Sequence, residues 1–165
     1  MNKNKGFTLV ELLIVIAIIA ILAAVVFVAI DPLRRFKDSR DSARWTDVTS
    51  VLEAAKTDQV DNGGPYHTNI SSLTSATTYL IGTGGTGGCI ATCPDAALGS
   101  TNCVDLGYLV TEGYLAKVAT APQASGGTAW TAAQTGYYLV YNSTTGTLKI
   151  GACDSENTDN IYVTR

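Results

Sequence analysis

The chain has 165 residues, 46% of them hydrophobic and only 15% charged, with a formal net charge of −3. That length accommodates one ordinary domain with an appendage, and the acidic balance excludes a general nucleic-acid coat, which needs excess positive charge. A lone histidine, His67, excludes a His-rich metal centre and any two-histidine mechanism.

The apolar residues are concentrated at the start. Residues 12–30 are 19 consecutive apolar residues without Gly, Pro or a polar side chain. As a helix they rise about 29 Å, the thickness of bilayer hydrocarbon, with every backbone group satisfied internally. A cleaved secretory signal has an apolar region of roughly 7–15 residues ending in an Ala-x-Ala-like site. This run is longer and ends in Asp31-Pro32-Leu33-Arg34-Arg35, so it reads as a retained transmembrane helix. Lys3 and Lys5 precede it; Arg34, Arg35, Lys37, Arg40 and Arg44 follow. Basic residues alone would place the C-terminal side in the cytoplasm. The four cysteines beyond the span argue for the opposite side, and that orientation is adopted.

Glu11 sits at the start of the apolar run. A carboxylate at membrane depth costs several kcal/mol unless paired. Either it snorkels at the interface or a cation meets it. No Lys or Arg lies within the span. A free α-amino group at Phe7, with a pKa of about 8, would serve if the chain were cut between Gly6 and Phe7.

Lys3-Asn4-Lys5-Gly6-Phe7-Thr8-Leu9-Val10-Glu11 followed by the apolar helix resembles the type IV prepilin signature. That family takes in type IV pilins, type II secretion pseudopilins and competence pseudopilins. The resemblance implies cleavage after Gly6 by prepilin peptidase, N-methylation of Phe7, and pairing of Glu11 with Phe7 of a neighbouring subunit during assembly. One departure is that no Gly or Pro interrupts the apolar helix before Pro32.

Beyond the span, Asp31-Pro32 reads as a helix cap with a first-turn proline, or a kink. Leu33, Phe36, Ala43, Val48, Val51, Leu52 and Ala55 recur at helical spacing, with Arg34, Arg35, Asp38, Arg40, Asp41, Arg44 and Asp47 between them as a solvated face. Asn62-Gly63-Gly64-Pro65 ends this helix. Residues 63–106 are irregular. Gly82-Thr83-Gly84-Gly85-Thr86-Gly87 spells GxGxxG, but no helix pattern follows, so a surface loop is the better reading. Residues 71–80 predict a short helix, and 105–118 a helix or turn and then an extended segment. Residues 137–142 and 147–152 flank Ser143-Thr144-Thr145-Gly146, a hairpin signal. Residues 161–163 add a third strand. Long helix, variable loop and small antiparallel sheet again resemble the pilin fold.

Cys89, Cys93, Cys103 and Cys153 suggest two disulfides, in any of three connectivities. Cys89–Cys93 as a local loop and Cys103–Cys153 as a long-range staple are the favoured pairing. A Cys₄ zinc site is the rival, but paired CxxC knuckles are missing. Asp154, Glu156 and Asp159 crowd one loop with Asn157 and Asn160, an oxygen-rich set that suits Ca²⁺. Major pseudopilins resemble this in holding calcium near the C-terminal sheet; a solvated acidic loop is the plainer reading. Asn69-Ile70-Ser71 and Asn142-Ser143-Thr144 match the N-glycosylation acceptor pattern, which short segments often do by chance. His67 reads as structural or exposed, and no catalytic signature is present.

Together these features predict an α+β, pilin-like fold. Residues 1–6 are the leader, 7–30 the transmembrane and polymerisation helix, and 31–62 its amphipathic continuation. That continuation joins 63–165 in one loop-rich, disulfide-tied domain. The expected role is a structural filament subunit rather than an enzyme. It would be anchored in the inner membrane with its C-terminal domain outside, then carried into a cell-surface or periplasmic filament. Its implied partners are further copies of itself, prepilin peptidase/methyltransferase, the inner-membrane assembly platform and, before assembly, membrane lipid. A type II secretion pseudopilin is an alternative, as is a competence pseudopilin holding DNA. Without Lys3 and Lys5, 9 basic residues face 14 acidic ones, a net −5 that disfavours DNA. A membrane-anchored enzyme or receptor would keep Met1 or another N-terminus.

Overall fold

The computed structural model describes residues 6–84, 93, 103–123, 127 and 129–165, in two compact units that divide between Phe36 and Lys37. In the first unit, helix α1 spans Leu9–Ile30 and has no buried residue. Asp31 follows in the left-handed conformation (φ 43°), consistent with the exclusion of α geometry before a proline. It also caps the next helix, α2 (Pro32–Asp61). Its Oδ1 accepts the Arg34 N–H at 3.4 Å and its carbonyl accepts the Arg35 N–H at 3.3 Å. Pro32 sits in the first turn, where its missing N–H costs nothing.

The second unit is built on the remainder of α2 and a five-stranded sheet. Its strands are β1 (Thr78–Ile81), β2 (Cys103–Val104), β3 (Tyr137–Asn142), β4 (Thr147–Ala152) and β5 (Tyr162–Thr164), with short helices α3 (Thr68–Ser71) and α4 (Tyr108–Thr111). The order is β2-β1-β3-β4-β5. The β3–β4 hairpin forms in the expected register, with Leu139 opposite Ile150 and Tyr141 opposite Leu148. Asn142 Oδ1 accepts the Thr144 and Thr145 N–H groups, and Gly146 supplies the positive φ that returns the chain. Leu139, Leu148 and Ile150 are fully buried in one core with Val48, Leu52 and Ala55 of α2. At Gly151 a Cβ would come within 2.4 Å of the Tyr138 ring, so only glycine admits that tyrosine.

Three expectations are corrected. The sheet is mixed, because β1 and β2 pair in parallel. Residues 71–80 are not a helix. The helix ends at Ser71, and a turn at Ala76 (φ 59°) leads into β1, where Thr78, Tyr79 and Ile81 favour a strand. On α2 the buried stripe starts with Asp41 and Arg44, while Leu33 and Phe36 are exposed and Ala43 with them.

The cysteine pairing is corrected as well. Cys93 bonds Cys153 across 60 residues, so neither Cys89–Cys93 nor Cys103–Cys153 forms. Cys103 is disulfide-bonded too, and Cys89 lies outside the described residues. Oxidised cysteines offer no thiolates, which removes the Cys₄ zinc reading. Spacing misled because closing a short loop is only slightly cheaper than closing a long one. Tertiary position decides instead: Cys153 follows β4 in the core, its N–H donating to the Gly136 carbonyl at 2.9 Å. Replacing Cys93 and Cys153 together by Ala is expected to lower the unfolding free energy by about 2–5 kcal/mol, measured by urea titration of the detergent-solubilised chain.

The core is rich in phenols. Tyr66 is pushed up to about 12, first by burial and then by Tyr141. Tyr108 is raised by burial, then by Asp58. Tyr137 is raised by burial, then by its hydrogen bond to Asp47. The folded state thus holds these protons above the ordinary value of 10.0. The resulting stability is complete below pH 10 and declines as pH rises towards 12 and beyond. Phenolate absorbance and far-ultraviolet circular dichroism are expected to change together above pH 10. Free ionisation of every tyrosine near pH 10 in a still-folded chain would contradict this burial.

Candidate processing and assembly site

At the N-terminus, Gly6, Phe7 and Thr8 precede α1 and are not helical. Gly6 stands in open space and Phe7 is 88% exposed, so the Gly6–Phe7 peptide bond is accessible. Thr8 and Glu11 form a capping box. Thr8 Oγ1 accepts the Glu11 N–H at 3.2 Å, and Glu11 Oε2 accepts the Thr8 N–H at 2.8 Å and its hydroxyl at 2.9 Å. The arrangement satisfies helix-end donors and holds the Glu11 carboxylate one turn from Phe7. Its donors among the described residues are neutral, so they solvate the charge in hydrogen bonds without compensating it. From Leu12 onward α1 presents apolar side chains on every face, as a lipid-embedded or bundled helix requires.

A second constellation holds the second unit together, and sequence reading missed it. Arg44 is fully buried. Its Nη1 donates to Asp41 Oδ1 at 2.8 Å and Glu156 Oε1 at 3.2 Å, and its Nη2 to the Pro122 carbonyl at 2.9 Å. Arg40 donates through Nε and Nη2 to both oxygens of Glu156, which holds its guanidinium above the ordinary value. Asp41 in turn accepts the N–H groups of Glu156, Asn157 and Thr158 at 2.8–3.3 Å. Asn157 Nδ2 adds a 2.8 Å bond to Asp38. The face of α2 read as solvated is thus clamped to the acidic loop. The available signal was charge complementarity: a basic helix face and an acidic loop in one chain.

The calcium candidates fare accordingly. Glu156 is neutralised by two guanidiniums, Asp154 is half-buried and Asp159 is exposed. Among the described residues no group of three or more His, Cys, Asp and Glu side chains is placed to hold a metal ion. His67 is structural: its Nδ1 accepts the Asn69 N–H and its ring stacks on Tyr108 at 3.9 Å. Gly82, Thr83 and Gly84 follow β1: the Gly82 N–H donates to the Val104 carbonyl, and those of Thr83 and Gly84 to the Ala132 and Ala133 carbonyls; the rest of the GxGxxG segment lies outside the described residues.

Removing one partner from a buried ion pair leaves a buried charge exposed to no compensation, at about 3–5 kcal/mol. Glu156→Gln leaves Arg44 its Asp41 partner, so it is expected to cost less, about 1–3 kcal/mol in a urea titration. Arg40→Ala should cost less, since Arg40 is partly solvated.

Comparison with known proteins agrees with the N-terminal geometry. The family described as "Prokaryotic N-terminal methylation motif" matches residues 1–27. Two curated relatives from Moraxella bovis, "Type IV major alpha-pilin" and "Fimbrial protein Q", are each 47% identical over 57 residues. The match takes in 34% of this chain and 32% of each relative, so the chain spans about a third of the length of the relatives it matches. No solved structure matches. With Gly6, Phe7 and Glu11 at the head of an apolar helix and a pilin-like α+β fold behind it, the chain carries a prepilin-type methylation motif and is similar to type IV pilins.

Proposed function

We propose that this chain is the precursor of a structural subunit of a type IV pilus or pilus-like filament. Prepilin peptidase cuts after Gly6, Phe7 is N-methylated, and the subunit waits in the inner membrane before polymerising through α1. One observation carries the reading: a helix of 22 residues with no buried side chain, apolar enough to cross a membrane. Such a surface has to be covered, by lipid before assembly and by other copies afterwards. Ala17, Ala20, Ala23 and Ala24 permit close helix approach in that bundle.

The C-terminal domain is placed outside the cytoplasm. Disulfides at Cys93, Cys103 and Cys153 support this. Two of the basic residues that argue otherwise, Arg40 and Arg44, have a role inside the domain. After the cut, the new Phe7 amine of one subunit meets Glu11 of the next and sets axial register.

Mass spectrometry of sheared surface filaments is expected to find the chain starting at N-methylated Phe7. A processed terminus confined to membranes would instead favour a secretion or competence pseudopilin, and an intact Met1 would end the filament reading. Glu11→Ala is expected to reduce filament yield at least tenfold while cleavage proceeds. Normal filaments from that variant would remove Glu11 from assembly. Gly6→Val is expected to block cleavage itself.

A further inference from the structure

The two N-glycosylation acceptor matches differ sharply in the fold. In Asn69-Ile70-Ser71, the middle residue Ile70 is completely buried in the core. Asn69 Nδ2, the atom a sugar would occupy, donates to the Asp105 carbonyl at 2.9 Å. Modification there would crowd a bond that anchors α3, and a transferase reading the segment as an extended acceptor would have to draw Ile70 from the core.

Asn142-Ser143-Thr144 lies at the tip of the β3–β4 hairpin, where Ser143 and Thr144 are exposed. Asn142 uses only its oxygen: Oδ1 accepts the Thr144 N–H at 3.0 Å and the Thr145 N–H at 3.3 Å. Among the described residues no hydrogen bond engages Asn142 Nδ2 or the Thr144 hydroxyl. The turn therefore keeps both its bonds when Nδ2 is substituted. Two N–H donors on Oδ1 also draw electron density from the amide nitrogen and make its protons more acidic. The second-position hydroxyl that the acceptor pattern demands stays available to an enzyme.

We propose that Asn142 is an N-linked glycan acceptor and that Asn69 is not. The donor is a lipid-linked saccharide pyrophosphate. Nδ2 bonds the anomeric carbon, the carbon–oxygen bond to pyrophosphate breaks, its electron pair leaves with the lipid pyrophosphate, and Nδ2 gives one proton to the transferase's base. The inference rests on the filament reading only for its compartment, since the hairpin must meet that donor outside the cytoplasm.

Peptide mass spectrometry of the full chain, isolated from membranes and filaments of its own host, tests both readings separately. The peptide holding Asn142 is expected to carry a saccharide mass, and the peptide holding Asn69 none. Thr144→Ala and Asn142→Gln should each abolish that mass, while Asn69→Gln leaves it unchanged. A bare Asn142 on chains that start at Phe7 overturns the glycan and leaves the filament reading intact. A sugar at Asn69, or one that survives Thr144→Ala, overturns the assignment as well. A glycosylated Asn142 on chains that keep Met1 supports the acceptor and sinks the filament reading.

Discussion

A guanidinium with no exposed surface governs the arrangement of the C-terminal domain. Burying Arg44 costs several kcal/mol in lost hydration, and two carboxylates and the Pro122 carbonyl offset that cost. Each of those partners comes from a different stretch of chain. Asp41 lies one turn back on α2, Pro122 in the segment before β3, and Glu156 in the loop after β4. Fixing one cation therefore fixes three segments. Asp41 extends the effect by gathering three consecutive N–H groups of the C-terminal loop, donors that β-pairing leaves over. An apolar contact of equal area would supply comparable stability but not that direction. The loop must sit at one height on α2, since a shift by one turn would strand both a cation and an anion.

Helix α1 obeys the opposite rule. Its polar backbone is satisfied internally and it buries nothing. Chain segments of this kind are stable only in hydrocarbon or against similar helices. The two units thus divide the physical work: beyond Lys37 the chain packs a core of its own, whereas α1 buries nothing and is left to be covered by others. The break between α1 and α2 is local chemistry at Asp31-Pro32, where a left-handed residue ends one helix and caps the next.

Much of this was legible in the residues. The apolar run, the stop at Gly63-Gly64 and the β3–β4 hairpin follow from local rules, because alternation, turn residues and positive-φ glycines act within a few positions of one another. The mixed sheet was not legible, since β2 is two residues long and its parallel partner β1 lies 23 residues earlier in register, Leu80 to Cys103 and Ile81 to Val104. The ion cluster joins residues 112–117 positions apart, beyond any periodicity. Read locally, Asp41 and Arg44 were a solvated face and Glu156 part of a solvated acidic loop. Burial inverted both readings, because the acidic loop's counter-charge was already in the chain. The cysteines failed for the same reason: connectivity is a property of the folded neighbourhood.

Comparing the carboxylates sharpens the case for Glu11. Glu156 faces two guanidiniums, and Asp41 faces one together with three N–H groups. Among the described residues, Glu11 receives the N–H and hydroxyl of Thr8 and no cation. Hydrogen bonds from neutral donors orient a charge without cancelling it, and the cost of an uncancelled charge rises steeply as water is removed. At an aqueous interface the capping box suffices. Within a bundle of apolar helices it does not, and no lysine or arginine lies in the span to help. The proposed cut at Gly6–Phe7 would create a cation at the head of α1, available to the Glu11 of a neighbouring subunit. Cleavage would then do more than remove a leader: it would supply the missing counter-charge, and a subunit that had not been cut would carry an unmatched anion into the bundle.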